Sequence, residues 1–178
     1  MEKIKELQIS GKKIGFTASS FDLLHAGHYI MLEDSRKQCD YLVVGLQSDP
    51  TLDLKYIMKT GGKQKNKPIQ TLKERHEQLK GCKYIDFIIK YNNEDELYNL
   101  IKDLKPDVRI LGSDWKNKNY TGYDLDIKIY WHNRNHDYST SNLRKRVFDA
   151  EVAKRDKTWS DWAKGIIPYD TPNIKWKG

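Results

Sequence analysis

Apolar residues in this chain fall into two rhythms: short unbroken runs, and longer stretches spaced by three and four. The runs lie at 14–16, 41–46, 84–89, 108–111 and 127–131. The second, with Leu42-Val43-Val44-Gly45-Leu46 at its heart, has no alternating polar face, as expected of a parallel strand covered on both sides. Gln47-Ser48-Asp49-Pro50 ends it in a loop. A helical pattern follows the first run and continues to about Gln38. Thr71 and Glu74 form a capping box at the start of the next helix, and Gly81 closes it. Leu97, Leu100, Ile101 and Leu104 line another, stopped by Pro106. Ser139-Thr140-Ser141-Asn142 caps a last helix, whose predicted buried side carries Leu143, Val147 and Ala150. Strands alternating with helices on short connections predict an α/β fold, a right-handed parallel sheet of about five strands flanked by helices. In such a sheet ligands bind beyond the carboxyl ends of the strands, where the winding reverses.

Two segments break the rhythm. Residues 55–67 carry five lysines with Gly61 and Gly62 and show no period, which predicts a mobile basic loop. Residues 156–178 hold Trp159, Trp162 and Trp176 with Pro168 and Pro172 between. Indole rings are too apolar to leave in solvent. The organisation expected is therefore a domain over 1–155 and an irregular Trp-rich extension over 156–178, packed on the domain or on a partner subunit of a homodimer.

The 178 residues, 38% apolar and 32% charged, allow one domain with a proper core. No apolar run approaches membrane-spanning length, and residues 1–10 lack the apolar centre of a signal peptide. Cys39 and Cys82 have no metal-type spacing and read as reduced thiols of a cytoplasmic protein. A net charge of +7 fits anionic partners, nucleotides and sugar phosphates or nucleic acid, without choosing between them.

Chemistry concentrates at 16–28, where a short strand runs into Ala18-Ser19-Ser20 and then a helix start. The first N–H groups of a helix have no partner within it, so small residues there make a phosphate site. His25 and His28, three apart, face one side, and Gly27 between them has no side chain to block a ligand. Phe21-Asp22-Leu23-Leu24-His25-Ala26-Gly27-His28 resembles the HxGH signature of the nucleotidyltransferase superfamily, in particular glycerol-3-phosphate cytidylyltransferases and the adenylyltransferases acting on heptose 1-phosphate. The resemblance covers roughly residues 14–147 and implies a Rossmann-like sheet.

Carried over position by position, the resemblance puts Ser20, Phe21, Asp22 and Gly27 at the triphosphate, although Asp22 also suits a helix cap. It puts Asp49 at the nucleotide edge, where it also suits a strand end. Lys55 is its best match for a phosphate lysine, with Lys59 and Lys63 in reserve. Arg75, closing Lys67-Pro-Ile-Gln-Thr-Leu-Lys-Glu-Arg75, holds phosphate or anchors its helix. Lys83 stands where the glycerol-phosphate enzymes carry arginine. Gly112-Ser-Asp114-Trp115 resembles their Gly-Asp-Asp-Trp stretch. Arg134-Asn-His-Asp-Tyr-Ser139-Thr140-Ser141 resembles their Arg-Thr-Glu-Gly-Ile-Ser-Thr-Thr, departing from it at 135–138.

The implied reaction is attack of an acceptor phosphate on the α-phosphorus of a nucleoside triphosphate, with pyrophosphate leaving. His25, His28, Arg134 and Lys55 are the implied catalytic groups, and Mg²⁺ is expected to arrive with the nucleotide. CTP with glycerol 3-phosphate is the first expectation, because the 112–116 stretch and the 139–141 cap lie closer to the cytidylyltransferase pattern. ATP with a sugar 1-phosphate of the heptose type is the alternative, supported by Ala26 and by Tyr120-Thr-Gly122. A nucleic-acid module using the lysine loop and Arg144-Lys145-Arg146 leaves both histidines without a task. A nucleotide sensor without turnover fits poorly with an intact histidine pair.

Overall fold

The computed structural model, which describes residues 2–59 and 65–164, places five strands: β1 (Ile14–Ser19), β2 (Tyr41–Gln47), β3 (Phe87–Tyr91), β4 (Val108–Gly112) and β5 (Lys128–His132). All pair in parallel, in the order β3–β2–β1–β4–β5. Among the described residues six α-helices accompany them: α1 (Glu2–Ile9), α2 (Ala26–Arg36), α3 (Leu54–Lys59), α4 (Leu72–Lys80), α5 (Glu94–Leu104) and α6 (Thr140–Ala163). The Rossmann-like sheet is thus the observed architecture.

Alternation along β2 assigns the two faces of the core. Leu42, Val44 and Leu46 join Phe21, Leu32, Leu79 and Ile110 on one side. Val43 joins Ile4, Phe16, Leu97 and Ile101 on the other. Helices α2 and α4 therefore cover one face, and α1 and α5 the other. Burial on both sides explains why the run 41–46 is unbroken. At Gly15 a Cβ would stand 2.5 Å from Cys39 Sγ, so the turn after α2 closes onto β1 only over a glycine.

The winding reverses between β1 and β4. Their ladder stops at Phe16↔Arg109, although β1 runs on to Ser19 and β4 to Gly112. The carboxyl ends of these two strands therefore part, leaving a crevice of the kind ligands occupy in open α/β sheets. Helix α2 leaves from one lip, and its far end is tied to the fifth strand. Asp34 accepts from the Tyr130 hydroxyl (3.1 Å) and stands 2.7 Å from His132 Nδ1, with His132 buried.

The differences from the sequence reading have local causes. Helix α1 is polar and buries only Ile4, so its period is faint. The basic segment opens as α3, a helix whose lysines hide the pattern; Lys59's side chain and Lys63 lie outside the described residues. Strand β3 starts at Phe87 rather than at 84, because Cys82–Ile85 first closes a backbone turn (Ile85 N–H to Cys82 O, 3.2 Å).

Contacts divide the chain into the units Met1–Thr140 and Ser141–Gly178. The expected boundary at 155/156 falls inside α6, which runs unbroken, so residues 156–163 are helical rather than irregular. Trp159 and Trp162 lie on that helix, and Trp176 lies outside the described residues. The stripe expected to be buried does not hold. Leu143 is half-buried and Val147 is 56% exposed, because charged residues crowd every side of this helix and leave only a narrow apolar line.

Candidate active site at the start of α2

The turn between β1 and α2 is backbone-strained and firmly held. Phe21 and Leu23 both sit at φ 48°, the left-handed region that L side chains rarely adopt. Phe21 is fully buried in the core, fixing the first of them. Gln70 fixes the second: its Oε1 accepts from Leu23 N–H (2.8 Å), and its N–H donates to Asp22 Oδ1 (3.0 Å). Asp22 is thus 4% exposed and clamps the turn to the segment before α4, instead of capping α2.

His25 is the N-cap of α2. Gly27 N–H donates to His25 Nδ1 (3.1 Å), and His25 N–H donates to His28 Nδ1 (3.3 Å). This reciprocal pairing is a capping box built from imidazoles. An Nδ1 that accepts carries its lone pair, so each neutral ring holds its proton on Nε2. The rings stack with centroids 4.0 Å apart, and Phe21 lies against His28 at 5.4 Å. Burial first, then His25 and Arg134, push the His28 proton affinity down to about 3, against a smaller pull from Asp22. His25 is lowered too, by burial and then by His136 and Arg134. At neutral pH the pair is therefore uncharged and offers two Nε2–H donors.

The connection after β5 closes over this turn. Thr140 Oγ1 donates to the Asp22 carbonyl (3.1 Å) and lies 3.4 Å from His25 Nε2, while Ser139 precedes it at the helix start. A Cβ at Gly27 would meet His136 Cε1 at 2.9 Å, Tyr138 O at 3.0 Å and His25 Cε1 at 3.1 Å, so only glycine admits the connection here. Arg134, half-exposed, stands 3.8 Å from Asp114 Oδ1 at the end of β4. Gly112 lies between them: a Cβ there would be 2.4 Å from Asp114 Oδ1 and 3.6 Å from Arg134 Nε. Trp115 ends the short turn Ser113–Trp115 beside Asp114. The structure therefore gathers His25, His28, Gly27, Arg134 and Thr140 in one place, and groups Asp114 with Arg134.

Three expected ligand residues have other work. Arg75 is 2% exposed and donates to the carbonyls of Ser20 (2.7 Å), Gln47 (2.7 Å), Gln70 (3.1 Å) and Ser48. It pins the ends of β1 and β2 to α4 and does not present its fork to phosphate. Lys55 pairs with Asp95 of α5 at 2.5 Å in an exposed surface ion pair. Asp49 accepts from Thr51 N–H (2.9 Å) and Thr51 Oγ1 (2.6 Å) and caps the turn after β2. Burial would raise its proton affinity, but the Thr51 hydrogen bonds, Lys67 and Arg75 hold it below the usual carboxylate range. The sequence reading missed Gln70 and His136. For His136 the signal was the departure from the family pattern at 135–138.

Among the described residues, no group of three or more His, Cys, Asp or Glu is arranged to hold a metal ion. None of the described helices is long and apolar enough to cross a membrane.

Residues 16–146 match the family described as Cytidylyltransferase-like. The chain is 34% identical over 153 residues to the Bifunctional protein HldE of Campylobacter concisus, covering 85% of this chain and 31% of that protein. The HldE protein of Helicobacter hepaticus is 33% identical over 151 residues, covering 85% and 29%. The chain thus spans about a third of the length of these curated relatives. Among solved structures, a lipopolysaccharide core biosynthesis protein from Thermoplasma volcanium superposes with TM-score 0.52 at 24% identity, covering 72% of this chain and 100% of that one. Pantoate-beta-alanine ligase from Francisella tularensis gives 0.55 at 17% identity, covering 86% and 74%. At these identities both are likenesses of fold.

Proposed function

The chain belongs to the cytidylyltransferase-like family of nucleotidyltransferases, and from that premise we propose that it transfers AMP from ATP to a sugar 1-phosphate of the heptose type. The observation that carries nucleotidyl transfer is the imidazole cap of α2, two Nε2–H donors fixed beside a helix N-terminus at the sheet's switch point. The choice of ATP rests on the relatives: HldE proteins favour the heptose 1-phosphate adenylyltransferase side of the resemblance over CTP with glycerol 3-phosphate, which the sequence had put first.

A phosphate oxygen of the acceptor attacks the α-phosphorus, the bond to the β-phosphate oxygen breaks, and pyrophosphate leaves. The nucleophile is already an anion, so the protein's task is alignment and charge stabilisation. The Nε2–H groups of His25 and His28 receive the phosphate oxygens whose charge grows in the transition state. Arg134 adds a full positive charge and a planar fork. Thr140 holds His25 in place through its hydroxyl. We expect Mg²⁺ to arrive with the nucleotide, where it would neutralise phosphate charge.

CTP remains the second reading, supported by Gly112-Ser-Asp114-Trp115 at the end of β4. The test is pyrophosphate release with ATP and CTP in parallel, each offered a heptose 1-phosphate and glycerol 3-phosphate. Turnover with ATP and the sugar phosphate is the expected result. Preference for CTP with glycerol 3-phosphate would replace it by the second reading, and no turnover with any pair would sink nucleotidyl transfer itself.

A further inference from the structure

A third imidazole lies beside the pair, and the mechanism above does not use it. His136 sits in the connection between β5 and α6, two residues past Arg134. Its Cε1 and that of His25 flank Gly27 at 2.9 Å and 3.1 Å from where a Cβ would stand, so the edges of both rings meet over the first turn of α2. The Tyr138 ring backs it with a centroid distance of 5.1 Å. Both of its ring nitrogens are shielded, and neither has a hydrogen-bond partner among the described residues.

An imidazole serving only as packing is a poor choice, because one nitrogen always carries a proton and both need partners when covered. A phenyl or aliphatic group would fill the same space without that penalty. The residue also differs in kind from the motif this segment resembles. Where Arg-Thr-Glu-Gly-Ile-Ser-Thr-Thr carries a glutamate, which can only accept when ionised, this chain carries an imidazole, which can donate. The neighbours of His136 on the connection (Asn133, Arg134, Asn135, Asp137 and Tyr138) are all exposed, so a rotation of the ring need not disturb the core.

We propose that His136 is a third phosphate-binding imidazole of this site, donating a ring N–H to the phosphate chain held at the start of α2. The inference deepens the nucleotidyl-transfer reading and rests on it. Binding thereby draws the 133–139 connection down over the phosphates.

The test uses the full chain and inorganic pyrophosphate, titrated calorimetrically into the wild type, His136→Phe and His136→Gln, with melting temperatures measured in parallel. Loss of a hydrogen bond to a charged group weakens binding by about tenfold or more. His136→Phe is expected to show that loss at an unchanged melting temperature, and His136→Gln, whose amide also donates, to recover part of it. A second measurement needs no variant: the His136 ring nitrogens of the ¹⁵N-labelled wild type should shift when pyrophosphate is added. Wild-type affinity in a folded His136→Phe, or no ring shift at saturation, overturns the proposal. Pyrophosphate binding through His136 without turnover of any triphosphate would sink the transfer reading and leave this assignment standing. Turnover and affinity both unimpaired in His136→Phe would do the reverse.

Discussion

Arg75 gives the sharpest separation of a structural from a ligand-binding role. Replacing it by Met keeps most of the apolar length but removes every donor to the carbonyls of Ser20, Gln47, Ser48 and Gln70. The bond to Gln47 is buried, and a buried acceptor left unpaired costs ~1–3 kcal/mol. The other three are part-buried, water reaches them, and ~0.5–1 kcal/mol each is the appropriate scale. The expected loss is then about 2.5–6 kcal/mol, a large share of the ~5–15 kcal/mol by which domains are stable. With a urea dependence of about 2 kcal/mol/M, the unfolding midpoint should fall by ~1–3 M. Arg75→Lys, with its donors on one nitrogen, should lose about half as much. Urea titration followed by tryptophan fluorescence, with ATP binding measured on the folded fraction, reads both effects. A midpoint within ~0.5 M of wild type together with weakened ATP binding would refute the reasoning and turn the guanidinium back toward the ligand.

Three further outcomes are expected. His28 protonates near 3 when folded but near 6.5 when unfolded, so its contribution is complete above pH 6.5 and is lost as pH falls toward 3. Wild-type stability should therefore drop by ~1–2 kcal/mol between pH 7.5 and 5, and an equal drop in His28→Gln would remove the histidine from the account. Gly27→Ala places a methyl within 3.0 Å of both His136 and the Tyr138 carbonyl; a cost of ~1–3 kcal/mol and a fall in turnover should appear together, whereas unchanged melting and activity would show that the connection lies elsewhere. Asp34→Ala strips the partner from the Tyr130 hydroxyl and from buried His132, with an expected cost of ~2–3 kcal/mol in urea unfolding; a loss below ~0.5 kcal/mol would deny the tie between α2 and β5 any weight.

The parts of the fold legible in the sequence were those whose cause is local. The unbroken run over 41–46 gave β2 because both its faces are covered, and Thr71 with Glu74 gave the start of α4 because a capping box is written within four residues. The histidine pair was legible for the same reason, since both residues belong to one helix turn. Roles set by distant partners were not. Arg75 reaches carbonyls 55 and 28 positions away, and nothing near it in sequence announces them. Lys55 looked like a phosphate lysine because Asp95, which holds it, lies 40 residues on. The clamp of Gln70 on the strained turn spans 47 and 48 positions and was equally invisible. At Asn135–Tyr138 a departure from a known pattern was visible, but the neighbours Gly27 and His25 became known only through the fold.

The imidazole cap has a consequence for the acid limit of the molecule. Each ring already carries its proton on Nε2, so any further proton must settle on Nδ1, the atom that receives a backbone N–H. Protonation turns that acceptor into a donor facing a donor, and the helix start loses the groups that closed it. Acid would therefore be felt as fraying of secondary structure. The same two protonations would remove the cap and alter the donors offered to phosphate, so helix integrity and site chemistry share one acid limit.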